Sequence, residues 1–287
     1  MAQNPCQLIF YMTTQKAQTS AAIPAETEDK AQRAVQSVEV GGRLLLALAS
    51  SGSALSLKEL AQRADLTPSR AHPYLVSYGR LGLIEQDPTG RYDLGPAALQ
   101  VGLACLQRLD PLKAADPVIR ALSAETGHMV ALAVWGNFGP TVVRLIDARQ
   151  PLHVSMRVGS VLSLFDTATG LAFAAAMPME RLKQAIAGPL GEILPAETFN
   201  ERMKEVGALK VALKEHGFMR VVGSPIPGVN AFSAPVYDLE GAPAMVLTVT
   251  DRQERLPGTW NNPVSKALRK GALEITHRLG GKVDAPL

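Results

Sequence analysis

From residue 34 onward the apolar positions of this chain recur first at helical spacing and later at strand spacing. Over 34–50, Val38, Leu44, Leu45, Leu48 and Ala49 mark the buried side of a first helix, which Ser51-Gly52-Ser53 ends. Leu57, Leu60 and Ala61 follow at i, i+3 and i+4, the spacing of one helix face. Ser56 is placed to cap that helix, and Glu59 completes a capping-box spacing. After a break at Asp65-Leu66-Thr67, Thr67 caps a third helix and Pro68 takes its first position, where a missing N–H costs nothing. Leu75, Val76, Leu81, Leu83 and Ile84 are the expected core positions of this stretch. Two short strands, 83–86 and 91–94, are joined by Asp87-Pro88-Thr89-Gly90, with Pro and Gly where a hairpin needs them. Gly95-Pro96 then opens a helix over 97–109. Leu99, Leu103 and Leu106 stripe it, and Val101 and Cys105 widen the stripe. A helix this apolar is expected to bury itself, by linking two domains, by pairing with its copy in a dimer, or by packing on its own second domain.

Beyond a break at Asp110-Pro111 a further helix runs through Ala124 and stops at Gly127. The pattern then changes. Residues 130–135 and 141–146 are short, apolar and β-branched, which reads as a hairpin. Over 152–158, His153, Ser155 and Arg157 alternate with Val154, Met156 and Val158, as in a strand with one exposed face. Residues 167–176 form a small-residue helix, 179–187 and 197–216 two more, and 263–279 a closing one. Strands are expected at 218–222, 231–237 and 244–250. The result is an α+β domain around one antiparallel or mixed sheet. The first thirty residues, rich in Gln, Thr, Ala and Ser, lack a sustained period and read as a disordered tail.

These elements divide the chain into a tail (1–30), a small helical domain with a hairpin (31–95), a linker helix (96–110) and a larger α+β domain (111–287). At 287 residues, 47% hydrophobic and 19% charged, the composition is that of globular domains with ample core. Two cysteines, Cys6 and Cys105, imply neither a disulfide framework nor a four-thiolate metal site, so the cytoplasm is the natural compartment. No segment is apolar for long enough to be a signal peptide or a membrane span.

Residues 55–94 carry the candidate chemistry. Two helices joined by a tight break and followed by a hairpin have the spacing of a winged helix-turn-helix, whose second helix meets base edges with its N-terminal residues. That helix begins with Ser69, Arg70 and His72. Arg70 is suited to a guanine edge, while Ser69, Tyr74 and Ser77 are placed for bases or phosphates. Arg91 on the wing is placed for a phosphate or the minor groove. The bland alternative is two core helices and a surface hairpin. Eight basic against six acidic side chains over 30–95 leave only +2 there, within a net charge of +3 for the chain. Pro73 interrupts the second helix, because it cannot donate to the carbonyl of Ser69.

In order and spacing these pieces resemble the IclR family of bacterial transcription regulators over roughly 34–280. The matching text is Val35-Gln36-Ser37-Val38, Leu57-Lys58-Glu59-Leu60-Ala61, Ser69 with His72, and Gly82-Leu83-Ile84-Glu85. It continues in Gly90-Arg91-Tyr92-Asp93-Leu94-Gly95, Thr167-Ala168-Thr169-Gly170, His216-Gly217-Phe218, and Ala234-Pro235-Val236-Tyr237-Asp238 with Gly241. The resemblance implies an N-terminal winged helix-turn-helix joined by a linker helix to a GAF-like α/β effector-binding domain. It implies double-stranded operator DNA and a small organic acid as partners. It also implies a homo-oligomer, dimer or dimer of dimers, acting as repressor or activator. Carried over position by position, the family's effector pocket falls on Ala168, Thr169, Val221, Ala231, Thr248 and Thr250. Members that bind small oxo-acids have Asp where this chain has Val221 and Cys where it has Ala231. This chain keeps the hydroxyls and loses the acid and the thiol, which points to a larger or more apolar carboxylate, aromatic or otherwise.

The competing class is a small-molecule-converting enzyme in the larger domain. His72, His128, His153, His216 and His277 show no metal-ligand spacing, and no nucleophile elbow, Walker A loop or dinucleotide fingerprint occurs. Cys105 sits on an apolar stripe and reads as inert core. Neither cofactor, metal nor catalytic residue is expected. His153 and Arg157 share one face of their expected strand and read as solvated.

Overall fold

The computed structural model describes residues 35–152, 154–187 and 196–281. The expected tail at 1–30 and His153 lie outside them. The chain divides between Gly102 and Leu103 into two compact units.

The first unit holds α1 (Gln36–Ala49), α2 (Leu57–Arg63), α3 (Pro68–Arg80) and a hairpin of β1 (Ile84–Gln86) and β2 (Tyr92–Leu94). The capping box forms: Glu59 N–H donates to Ser56 Oγ at 3.3 Å, and Ser56 N–H donates to Glu59 Oε2 at 2.8 Å. Leu44, Leu48, Leu60, Ala61, Ala71, Leu75 and Ile84 make the core. The inward side of α1 is Val40, Gly41, Leu44, Ala47 and Leu48, with Leu45 packed beside it, so Leu44, Leu45 and Leu48 of the expected stripe are inward and Val38 and Ala49 are not. Val38 and Ala49 face out, because one residue turns the helix by roughly 100° and the inward stripe is set by positions 40, 44, 47 and 48. Val76 and Leu81 are also exposed, since Ala71, Tyr74, Leu75 and Tyr78 occupy the inward side of α3; Leu83 is half-buried.

Helix α3 runs through Pro73 without a break. The Ser69 carbonyl therefore lacks its i+4 donor, and the ring crowds it. Pro73→Ala should raise the melting temperature, by the equivalent of up to about 3 kcal/mol, because it restores that bond in a good helix former. A lower melting temperature would mean that the backbone is shaped around the ring.

Helix α4 (Pro96–Arg108) straddles the division and buries none of its residues. Leu99 is 65% exposed and Leu103 48%, and Val101, Leu106 and Cys105 are exposed as well. The expectation that this stripe is covered, with Cys105 in a core, fails for the single chain.

The second unit is a five-stranded sheet of β3 (Met129–Gly136), β4 (Gly139–Ile146), β5 (Met219–Val222), β6 (Val229–Tyr237) and β7 (Pro243–Arg252). Its order is β4-β3-β7-β6-β5, and every pairing is antiparallel. On one face α5 (Pro111–Thr126) and α9 (Pro263–Arg278) pack Ile119, Leu122, Leu268 and Ile275 against Leu132, Phe232, Leu247 and Val249. On the other lie α6 (Ala168–Ala176), α7 (Met179–Ala187) and α8 (Ala196–His216), with Phe173 and Leu182 packed with Met219 and Val246. Coverage of both faces buries residues 129–133 without alternation.

Residues 152–158 form no strand among the described positions. Val154 N–H donates to the Leu152 carbonyl at 3.0 Å and Met156 N–H to the Val154 carbonyl at 2.9 Å. Both join residues two apart, and the second closes a γ-turn centred on Ser155. Val154 and Met156 are half-buried and Ser155 and Arg157 exposed, so the segment reproduces the alternation of a strand without pairing to one.

Candidate functional site

In the first unit, α3 presents its N-terminal turn to solvent. Thr67 Oγ1 accepts from Arg70 N–H at 3.4 Å and lies 3.1 Å from Ser69 Oγ. Ser69, Arg70, His72 and Ser77 are exposed, as a base-reading helix requires. The Ser77 hydroxyl donates to the Pro73 carbonyl at 3.0 Å. Tyr74 departs from the expected outward set. It is half-buried and turned towards α1, where Gly41 makes room: a Cβ there would lie 3.3 Å from the Tyr74 ring and would collide with the Tyr78 hydroxyl. Arg91 is committed as well. Its Nη2 lies 2.9 Å from Glu59 Oε2, and its Nε donates to the Ala54 carbonyl at 3.0 Å, so it ties the wing to α2. Asp87 Oδ1 accepts from the N–H groups of Thr89 and Arg91 and closes the wing turn. The periodicity missed Val76 and Arg80, both exposed on the side of α3 away from α1.

In the second unit, the sheet register brings four of the six expected effector residues, Val221, Ala231, Thr248 and Thr250, onto neighbouring rows. Val221, Ala231, Thr250 and Met129 are direct cross-strand neighbours in one row. Met219, Ser233, Thr248 and Ala131 form the next row. Directly opposed residues share a face, and residues two apart on a strand do too, so both rows look towards α6. Thr167 caps α6 by accepting from Gly170 N–H at 3.0 Å and donates to the Ser163 carbonyl at 2.7 Å. That turn sets Ala168 and Thr169, both buried, over the sheet.

A chain of hydroxyls joins the two layers. Thr169 Oγ1 lies 2.8 Å from Thr248 Oγ1, which lies 2.8 Å from Ser233 Oγ. Each hydroxyl has one proton to donate, so three protons serve two links and one is left for a further acceptor. Ser233 was not legible as part of this group, since only the pairing of β6 with β7 sets it opposite Thr248. The first N–H groups of α6 have no intrahelical acceptor, and the helix dipole favours negative charge there. Neither sheet row carries an ionisable side chain at its eight positions. A separate surface depression of about 310 Å³ is lined by Leu152, Ile226, Pro227, Gly228, Val229, Arg252 and Glu254. None of the six expected residues lines it.

On the opposite face of the sheet a buried ionic cluster sits beside Thr250. Asp251 Oδ2 lies 2.7 Å from His128 Nδ1 and accepts from Arg255 Nε at 3.0 Å. Asp251 Oδ1 accepts from Arg252 N–H at 2.7 Å and pairs with Arg255 Nη2. Burial pushes the Asp251 carboxyl up, but hydrogen bonds from Arg255, His128 and the Arg252 amide outweigh it and hold the group below the usual carboxylate range. An ionised carboxylate only accepts, so His128 Nδ1 carries a proton. No motif flags this cluster, because its histidine and aspartate lie far apart in the chain.

Among the described residues no group of histidine, cysteine and carboxylate side chains could hold a metal ion. No described helix is long and apolar enough to cross a membrane.

Comparison with known proteins agrees with this geometry. The profile of the bacterial transcriptional regulator IclR C-terminal domain matches residues 103–277, and that of the IclR helix-turn-helix domain matches residues 37–88. The chain is 30% identical to the transcriptional repressor IclR of Escherichia coli over 90% of its own length and 95% of the relative's. It is 26% identical to the HTH-type transcriptional regulator BhcR of Paracoccus denitrificans, over 84% and 86% of the two lengths. The crystal structure of Pseudomonas aeruginosa HmgR superposes with a TM-score of 0.73 at 35% identity, covering 86% of this chain and 99% of that one. With both domains matched in order, and a winged helix followed by an antiparallel effector-type sheet, the chain belongs to the IclR family of DNA-binding transcription regulators.

Proposed function

We propose that this regulator senses a small organic acid with an aromatic or otherwise apolar body, held between the first turn of α6 and the facing sheet rows. The observation that carries this reading is the hydroxyl chain Thr169–Thr248–Ser233 beside an apolar row that contains Val221 and Ala231. The spare hydroxyl proton and the α6 N–H groups suit a carboxylate. Thr250, buried in the neighbouring row of the same face, supplies a further hydroxyl. Val221 and Ala231 suit the apolar body, and Ala168 keeps the helix end close. A short, very polar oxo-acid gains nothing from such a wall.

In this reading the operator is double-stranded DNA. Ser69, Arg70, His72 and Ser77 face it, and Arg91 holds the wing in place. A homo-oligomer, dimer or dimer of dimers, fits the uncovered apolar stripe of α4.

Binding to the DNA upstream of its own gene is measured first, without ligand, and the oligomeric state by light scattering. A thermal-shift screen of aromatic and short aliphatic acids then identifies the ligand, because a molecule that binds only the folded state raises its stability. Thr248→Val with Thr250→Val keeps shape and removes donors, each charge-assisted bond being worth about 1.5–3 kcal/mol. The double variant should still bind operator but need at least about tenfold more acid to respond, the factor that 1.4 kcal/mol represents. An unchanged midpoint would put the ligand elsewhere. A preference for short oxo-acids would remove the apolar part of the reading.

A further inference from the structure

We infer that α3 reads its operator through an apolar centre, Pro73 and Val76, that packs against thymine 5-methyl groups in the major groove. The inference rests on the assignment of α3 as the base-reading helix and adds which bases it prefers. Ser69, Pro73, Val76 and Arg80 are spaced i, i+4, i+7 and i+11, which is a single stripe along a helix. Ala71, Leu75, Tyr74 and Tyr78 hold the opposite side against the core, so this stripe is the most outward part of α3. Pro73 is exposed, and Val76 is 42% exposed.

Two of the polar groups beside that centre have internal partners, while the exposed His72 lies to one side of it. Ser77 gives its proton to the Pro73 carbonyl, and Ser69 shares a hydrogen bond with Thr67. Between Ser69 and Arg80 the outward stripe itself therefore offers carbon. In the major groove, the base feature that carbon recognises is the thymine methyl, which sets T apart from C. Charge points to DNA rather than to a protein partner as the occupant. Helix α3 has no acidic side chain, and the exposed guanidinium groups of Arg70 and Arg80 flank the apolar pair.

The test uses the full-length protein and duplexes enriched from a random library by repeated binding. Each thymidine of an enriched half-site is replaced in turn by deoxyuridine, which deletes only the methyl. At one or two positions the wild-type protein should lose about fourfold in affinity, the factor that burial of one methyl-sized group represents. Val76→Ala or Pro73→Ala should erase that penalty at its own position. Neither should change the slope of affinity against salt, because no phosphate contact is lost. Both residues are exposed, and a melting curve checks that each variant folds. Equal binding of every uracil duplex by the wild type overturns the inference, and so does a penalty that survives in both variants. If no duplex is enriched at all, the base-reading role of α3 itself is overturned.

Discussion

Gly170→Ala should destabilise the second unit and abolish the effector response while leaving ligand-free operator binding intact. In an open helix this substitution stabilises by roughly 1 kcal/mol. Here a Cβ would lie 2.2 Å from the Ser163 carbonyl oxygen and 2.3 Å from that of Leu164. Both obstacles are backbone, and the Ser163 carbonyl also accepts the Thr167 hydroxyl. Helix α6 must therefore move outward, and overpacking of this kind costs about 1–3 kcal/mol or more. With backbone on the receiving side the upper end applies, so the net loss is about 2 kcal/mol after the helical gain. That corresponds to a fall of roughly 4–8 °C in a domain of this size. Movement of about 1 Å also stretches the 2.8 Å link from Thr169 to Thr248 beyond hydrogen-bond length. Gly207→Ala in α8 is the control. No atom lies within 4 Å of its Cβ position, so it should gain the roughly 1 kcal/mol that Gly170→Ala forfeits. Equal stabilisation by the two changes would sink the account of α6.

The second large effect is expected at Asp251. Its side chain is 1% exposed and accepts four hydrogen bonds. Asp251→Asn removes the charge and sets an amide donor against Arg255. Breaking one side of a buried ion pair costs about 3–5 kcal/mol. The side chain of Arg255 is 27% exposed and partly hydrated, so the lower end is expected, about 3 kcal/mol or roughly 6–12 °C. The pH dependence fixes the origin of the effect. The folded carboxyl titrates below its unfolded value of 3.8. Its contribution is thus fully present above pH 3.8 and is lost as pH falls through the folded value. Melting curves of the parent and Asp251→Asn should differ most near neutral pH and converge in acid. A gap that stays constant down to the acid limit would show that shape, not charge, is what the substitution removes.

The two predictions differ in how far the chain announced them. The Thr-Ala-Thr-Gly run was visible as a helix start, and its threonine cap behaves as local chemistry requires. That its glycine is the contact point with residues 163–164 was not visible, because closeness between a helix and a loop leaves no periodic trace. The capping box at Ser56 and Glu59, the wing turn and most helix limits were legible for the same reason: each is fixed by groups within a few residues of one another. Errors came where a local pattern had two sources. The turn at 154–156 imitates a strand. Val38, Val76 and Leu81 were read as core because they are apolar, although the neighbouring positions take the inward side.

By itself the sequence determined the order of elements, the winged helix, the α+β class, and the hydroxyl pair two apart on a strand. These depend on backbone propensity, capping and periodicity, which act over short stretches. Only the tertiary structure decided which residues meet. Antiparallel pairing of β6 with β7 set Ser233 against Thr248, and of β3 with β7 brought His128 to Asp251. Packing of α3 on Gly41 turned Tyr74 inward and left Pro73 and Val76 outside. Such contacts join segments far apart in the chain, and their energies depend on register and burial, which no single stretch of sequence contains.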